Sequence, residues 1–131
     1  NLVKSHNEVT QGIWNREGNR GIELKSKTVG IIGYGNTGKA VCQKLSGFGV
    51  EILVYDKYKS KFSDTNLTEV NFEEILAKSD IISLHIPFNK ETENFVNDEF
   101  INKVSKPFVL LNLSRGKIVD IQSVIRFLKT G

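Results

Sequence analysis

The sequence predicts an α/β fold, a doubly wound parallel sheet with helices on both faces. Three observations carry this. Short segments that are apolar on both faces recur, as in strands buried on two sides. They alternate with segments of helical period, the order that gives a covered parallel sheet with right-handed crossovers. A glycine-rich turn, Gly33 to Gly38, stands between the first such strand and the helix after it.

Leu2, Val3, His6, Val9, Ile13 and Trp14 recur every three to four residues and predict an amphipathic helix over 2–14. Gly18, Asn19 and Gly21 break it. Val29 to Ile32 is a short apolar strand ending at Gly33, and 37–47 reads as a helix with Ala40, Val41 and Leu45 inward. Val50 to Tyr55 is β-branched and aromatic, hence a strand. Asn71 caps a short helix through Ala77, with Glu74 placed as in a capping box. Ile81 to Leu84 is a buried strand. Asn97 opens a helix with Asp98 and Glu99 in its first turn, where carboxylates suit the dipole. Phe108 to Leu111 is a strand, and Asp120 caps a last helix over 121–129, with Gly131 at the expected C-cap.

Composition excludes several classes. The 131 residues are one domain's worth, 39% hydrophobic and 25% charged, an ordinary globular balance. No apolar run approaches the ~18 residues of a membrane span, and no signal peptide is visible. Net charge is +3 with the basic residues scattered, which points away from nucleic acid. One cysteine excludes an internal disulfide and fits a reducing, cytoplasmic setting. That cysteine, Cys42, reads as a small core residue. With only two distant histidines beside it, no metal site is expected. A chain that starts at Asn1 and has no methionine is expected to be processed or a piece of something longer.

Ligands of doubly wound sheets bind beyond the carboxyl ends of the strands. The first end reads Gly33-Tyr34-Gly35-Asn36-Thr37-Gly38. Gly33 permits the turn, Gly35 lets backbone approach a pyrophosphate, and Gly38 lets helix and strand pack closely. The amides of Asn36 and Thr37 face the phosphates from the helix N-terminus. The alternative is a tight turn without a ligand.

At the second end, Asp56 lies 18 residues past Gly38, near the ~20 expected for an acid that accepts from a cofactor's ribose hydroxyls. Its charge repels a 2′-phosphate, favouring NAD over NADP. Lys57, Lys59 and Lys61 beside it could tolerate that phosphate, or form a solvated loop. The third end, His85-Ile86-Pro87, reads as a structural histidine bonded to backbone and a turn that walls an adenine pocket. The fourth reads Asn112-Leu113-Ser114-Arg115-Gly116. Gly116 allows an unusual backbone angle. Arg115 either grips a carboxylate with two parallel hydrogen bonds or pairs with Asp120 on the surface.

Together these residues resemble the nucleotide-binding domain of the D-isomer-specific 2-hydroxyacid dehydrogenases, which include D-3-phosphoglycerate dehydrogenase. The resemblance runs from Gly12-Ile13-Trp14 through Gly21 to Gly33, Asp56, His85-Ile86-Pro87 and Glu91-Thr92 to Asn112-Leu113-Ser114-Arg115-Gly116-Lys117-Ile118-Val119-Asp120. The S-R-G-x-I-V-D ending is the most specific part. Ser26 stands where the family usually has glycine, and Thr37, where the family usually has an aliphatic residue, could shift the helix packing.

The resemblance implies a Rossmann sheet truncated before its last strands, which leaves an unpaired edge or an uncovered helix face. It implies an N-terminal helical segment over 1–20, a Rossmann core over 28–131 and an absent substrate domain. Asn36 and Thr37 would hold the pyrophosphate of NAD, and Asp56 the ribose. Ile86 and Pro87 would border the adenosine side, and Leu113 and Ser114 the nicotinamide side. Arg115 would bind the carboxylate of a small 2-hydroxy or 2-keto acid and polarise its keto oxygen. The family's catalytic glutamate and histidine lie downstream of the S-R-G segment, so this chain alone is expected to bind cofactor without turnover. The family also implies a cytoplasmic homodimer without nucleic-acid or membrane partners. The competing reading is a corepressor-type module that uses NAD as a regulatory ligand. An S-adenosylmethionine methyltransferase is disfavoured by the S-R-G segment.

Overall fold

A computed structural model describes residues 1–130; the expected cap at Gly131 lies outside them. The helices are α1 (Leu2–Thr10), α2 (Asn36–Leu45), α3 (Phe72–Lys78), α4 (Asp98–Lys103) and α5 (Ile121–Thr130). The strands are β1 (Thr28–Ile32), β2 (Glu51–Tyr55), β3 (Thr68–Glu69), β4 (Ile81–Leu84) and β5 (Val109–Asn112). All strand pairs are parallel, in the order β3-β2-β1-β4-β5. The chain reverses direction across the sheet between β1 and β4, and the crevice of such a sheet opens at that point.

Period-two alternation sorts the strand residues onto two faces. Ile32, Leu53, Ile82 and Leu84 join Ile75, Leu76, Phe100 and Ile101 of α3 and α4 in one core. Val29, Ile31, Ile52 and Val54 meet Cys42 of α2 in the other. Both faces of the central strands are thus dry, which is why they read as continuous apolar runs. Cys42 is a core residue, and burial pushes its thiol up to about 11. Side-chain oxygens cap three helices where the sequence places them. Asn71 accepts from the Glu74 amide at 2.8 Å, Asn97 from Phe100 at 3.0 Å, and Asp120 from Gln122 at 3.0 Å.

Several expectations are corrected. The first helix ends at Thr10, because Gly12 takes φ +76° and its amide bonds back to the Val9 carbonyl. Its apolar stripe is not buried: Leu2 and Val3 are 86% and 74% exposed. Side chains tie it to the turn that follows, Asn1 to the Arg20 carbonyl, Lys4 to Gly18 and Asn19 to Glu8. Two-residue β3 gave no periodic signal. Strand β5 is a sheet edge, as a truncated sheet implies, and Val109 and Leu111 on it are exposed.

Ser26 adopts φ +63°, the left-handed region where a side chain is strained, within a turn closed by Lys27 bonding to the Leu24 carbonyl at 2.9 Å. This gives a physical reason for glycine at that position, and Ser26→Gly is expected to raise stability by about 0.5 kcal/mol in thermal denaturation.

Candidate functional site

The carboxyl ends of β1, β2, β4 and β5 converge along one edge of the sheet. At the end of β1, Gly33 takes φ +100° and its amide donates to the Tyr55 carbonyl at 2.8 Å. A Cβ on Gly33 would stand 2.7 Å from the His85 carbonyl oxygen, and one on Gly38 only 2.0 Å from the Gly33 oxygen. The loop is therefore pressed between β4 and α2 with no room for a side chain. Gly35 differs, since a Cβ there would meet nothing within 4 Å. It caps α2, and among the described residues no side chain satisfies the first amides of that helix. Asn36 and Thr37 follow, both exposed, so Thr37 does not perturb the helix packing. An open flank at Gly35 beside uncapped amides is the shape and polarity a pyrophosphate needs.

Asp56 organises the rim of the first cleft. One carboxylate oxygen accepts from the Tyr34 amide of the glycine loop at 2.7 Å. The other accepts from the amides of Tyr58 and Lys59 at 2.9 and 3.0 Å. A carboxylate has about four acceptor positions, so three amides fix its orientation and leave one for a hydroxyl. The lysines after it are engaged: Lys57 with Glu91 at 2.6 Å, and Lys59 with the Tyr34 carbonyl at 2.7 Å. Lys61 is exposed with φ +63°. The cleft of about 260 Å3 is lined by Gly33, Gly35, Asp56, Ile86, Pro87 and Phe95 among others.

His85 is buried at the end of β4, and its Nε2 lies 2.9 Å from the Ser83 hydroxyl. The expectation of a structural ring bonded to backbone is thus corrected in its partner, a side chain two residues back. Its Nδ1 is buried without a hydrogen-bond partner among the described residues, and burial holds the ring's pKa below the ordinary histidine value, favouring the uncharged form.

A second, wider cleft of about 660 Å3 opens beyond β4 and β5. It is lined by Ile86, Pro87, Phe88, Ser114, Arg115, Gly116 and Lys117. Ile86 and Pro87 therefore border both clefts. The Ser114 hydroxyl donates to the Leu84 carbonyl at 3.0 Å, latching the loop after β5 to the end of β4. Asn112 accepts from the Ser114 amide at 3.0 Å and donates to the Arg115 carbonyl at 2.9 Å. Arg115 is exposed, and its guanidinium donates only to the Ser114 carbonyl, at 3.1 Å, among the hydrogen bonds of the described residues. Asp120 is not its partner; that carboxylate takes Ser123 at 2.6 Å and Arg126 at 3.9 Å. Leu113 is 62% exposed and lines neither cleft. Gly116 opens a 3-10 turn through Ile118 without a positive φ, and a Cβ there would meet nothing, so the expected unusual angle is not used.

The sequence did not point to the contact across the rim of the first cleft, where Glu91 joins Lys57 and Tyr58. Its only trace was Asn89 two residues before Glu91, the spacing of a turn closed by a side chain. Asn89 indeed accepts from the Glu91 and Thr92 amides at 2.9 and 3.0 Å.

Among the described residues no three potential ligands gather for a metal ion, and no helix is long and apolar enough to cross a membrane.

The sheet order, the pressed glycine loop and the acid at the neighbouring strand end define a dinucleotide-binding α/β domain. Comparison with known proteins makes this specific. Residues 1–131 match the family described as D-isomer specific 2-hydroxyacid dehydrogenase, NAD binding domain. The chain is 36% identical over 137 residues to a glyoxylate reductase of Thermofilum pendens, covering 99% of this chain and 40% of that protein. It superposes on the NAD-dependent formate dehydrogenase from Staphylococcus aureus, solved in complex with NAD, with a TM-score of 0.86. Sequence identity there is 31%, over 98% of this chain and 40% of that one. The apo D-lactate dehydrogenase from Escherichia coli gives a TM-score of 0.87 at 29% identity, over 98% and 42% of the two chains. The chain belongs to the D-isomer-specific 2-hydroxyacid dehydrogenase family, and the part it represents is the NAD-binding domain. It spans about 40% of the length of these relatives.

Proposed function

We propose that this domain serves a cytoplasmic, homodimeric dehydrogenase that moves hydride between NAD and a small 2-hydroxy or 2-keto acid. Residues 1–20 form the N-terminal helical segment and 28–131 the nucleotide-binding core. The observation that carries the proposal is the convergence on one sheet edge of the glycine loop, Asp56 and an arginine free of carboxylate contacts among the described residues. Gly33 and Gly38 set the loop against the sheet, and Gly35 with the amides of Asn36 and Thr37 takes the pyrophosphate. Asp56 accepts from the ribose. Ile86 and Pro87 wall the adenosine cleft. Ser114, which lines the second cleft, borders the nicotinamide side, whereas Leu113 lines neither cleft and takes no part in it. The cofactor, when bound, accepts or delivers the hydride. Arg115 holds the substrate carboxylate and polarises the neighbouring keto oxygen from the open side of the second cleft.

Neither histidine of this chain serves as the proton donor. His6 lies on the exposed α1, and the His85 ring is buried against Ser83 at the end of β4. On the family's pattern the proton donor is a histidine downstream of the S-R-G segment, a place that neither His6 nor His85 occupies.

The test is NADH oxidation with glyoxylate or pyruvate, followed by absorbance. It is run on the natural protein that carries this domain and on the 131-residue chain. The protein should turn over and lose at least about a hundredfold in kcat/KM with Arg115→Ala. The chain alone should bind NADH without turnover. Full activity of the Arg115→Ala protein, or no reduction of any 2-keto acid by the natural protein, would overturn the proposal.

A further inference from the structure

We infer that Glu91 is a specificity-determining residue that helps this site reject 2′-phosphorylated dinucleotides by engaging Lys57. The inference rests on the assignment of the first cleft to the adenosine half of NAD. A 2′-phosphate on a ribose bound at Asp56 needs a cation close by, because the carboxylate alone repels it. Lys57 and Lys59 both line the cleft and are the candidates. Lys59 is committed to the Tyr34 carbonyl at 2.7 Å. Lys57 follows Asp56 directly, in the segment whose amides wrap that carboxylate.

Glu91 reaches Lys57 from the opposite wall, after β4. One carboxylate oxygen accepts from the Lys57 ammonium at 2.6 Å and from the Tyr58 hydroxyl at 2.9 Å. All three residues line the same cleft. Glu91 is held by a built turn. Asn89 accepts from the Glu91 amide, and Thr92 donates to the Pro87 carbonyl at 2.7 Å. The contact holds the Lys57 ammonium above and the Glu91 carboxyl below their ordinary pKa values, each through its hydrogen bond with the other.

Two effects act in the same direction. The carboxylate occupies the cation that would greet a 2′-phosphate, and it adds a second negative charge to the rim near Asp56. NAD, with a free ribose, meets neither penalty. The Lys57–Lys61 run is therefore basic in composition but not in action: of its lysines that line the cleft, one is bound to Glu91 and the other to backbone.

The test measures Kd for NADH and NADPH on the chain by fluorescence titration. The variants are Glu91→Gln, Lys57→Gln and the double variant, with circular dichroism to verify folding. Side chains at both positions are more than half exposed, so folding should survive. Wild type should prefer NADH. Glu91→Gln keeps shape and removes charge, and should tighten NADPH about fivefold while NADH stays within about twofold. Most of that gain should disappear in the double variant, because it runs through Lys57. If Glu91→Gln shifts both cofactors by the same factor, the residue merely fastens the rim and the specificity role is overturned. If folded wild type binds neither cofactor, the cofactor reading of the cleft itself fails, a distinct result.

Discussion

The two clefts on the sheet edge are built differently. The first is closed on itself: Asp56 holds the glycine loop and its own turn, and Glu91 ties the β4 wall to the β2 wall. The second is wide and presents Arg115 with a single hydrogen bond to its neighbour's carbonyl. The first site is preorganised by this chain alone, so its binding energy goes to ligand rather than to ordering loops. The second supplies one charged group and little else. Cofactor recognition should therefore survive in these 131 residues, whereas chemistry should not.

The largest effect should come from filling the space that shapes the first cleft. Gly38→Ala drives a methyl group to 2.0 Å from the Gly33 carbonyl oxygen. Backbone cannot yield as a flexible side chain would. The variant should lose about 3 kcal/mol in chemical denaturation together with NADH binding. Wild-type stability in it would mean that α2 can slide away, and that the first cleft is not rigid.

Asp56→Asn comes next. It turns one acceptor oxygen into a donor facing a backbone amide. About 1 kcal/mol of stability and about tenfold in NADH affinity should be lost, read by thermal denaturation and titration. An equal loss on the Arg115 side would break the contrast between the clefts.

A smaller, pH-dependent effect belongs to His85. Burial lowers its pKa in the folded chain, while the unfolded chain titrates near the ordinary 6.5. Below that value the unfolded chain takes up a proton that the folded ring refuses. Its contribution to stability is thus level above about pH 6.5 and falls as the pH drops toward the depressed folded value. Denaturation midpoints measured from pH 8 to 5 should show this decline, and His85→Gln should flatten it.

The smallest effect on this chain should be that of Arg115→Ala. It leaves NADH affinity within about twofold and thermal stability unchanged, because among the described residues the guanidinium bonds only to the Ser114 carbonyl. A marked loss of cofactor binding would show that the second cleft is not separate from the first.

Much of this architecture was legible in the sequence because it leaves local marks. Strands such as Val29–Ile32 and Ile81–Leu84 are apolar on both faces, and Gly33 and Gly38 stand where no other residue fits. Caps at Asn71 and Asn97 follow from side-chain chemistry within four residues. What escaped was long-range or conformational. Lys57 and Glu91 lie 34 positions apart, and an exposed charge pair has no sequence signature. The ring of His85 finds Ser83 rather than backbone because alternate strand residues share a face. The apolar stripe of α1 has a helical period yet remains exposed, since periodicity marks a face without saying what covers it. Ser26 takes the left-handed backbone that glycine favours, a conformation that residue type and periodicity do not announce.

The most direct test of the central claim is a fluorescence titration of NADH against the chain and its Gly35→Ala variant. A methyl group at Gly35 meets no protein atom within 4 Å, so the variant should fold, with only the loss of about 1 kcal/mol expected of alanine at a helix N-cap. The same methyl group projects into the space proposed for the pyrophosphate. Saturable NADH binding by wild type, weakened at least tenfold in the folded variant, is the predicted result. Equal NADH binding by both proteins would contradict the account and place the cofactor elsewhere than on the glycine loop.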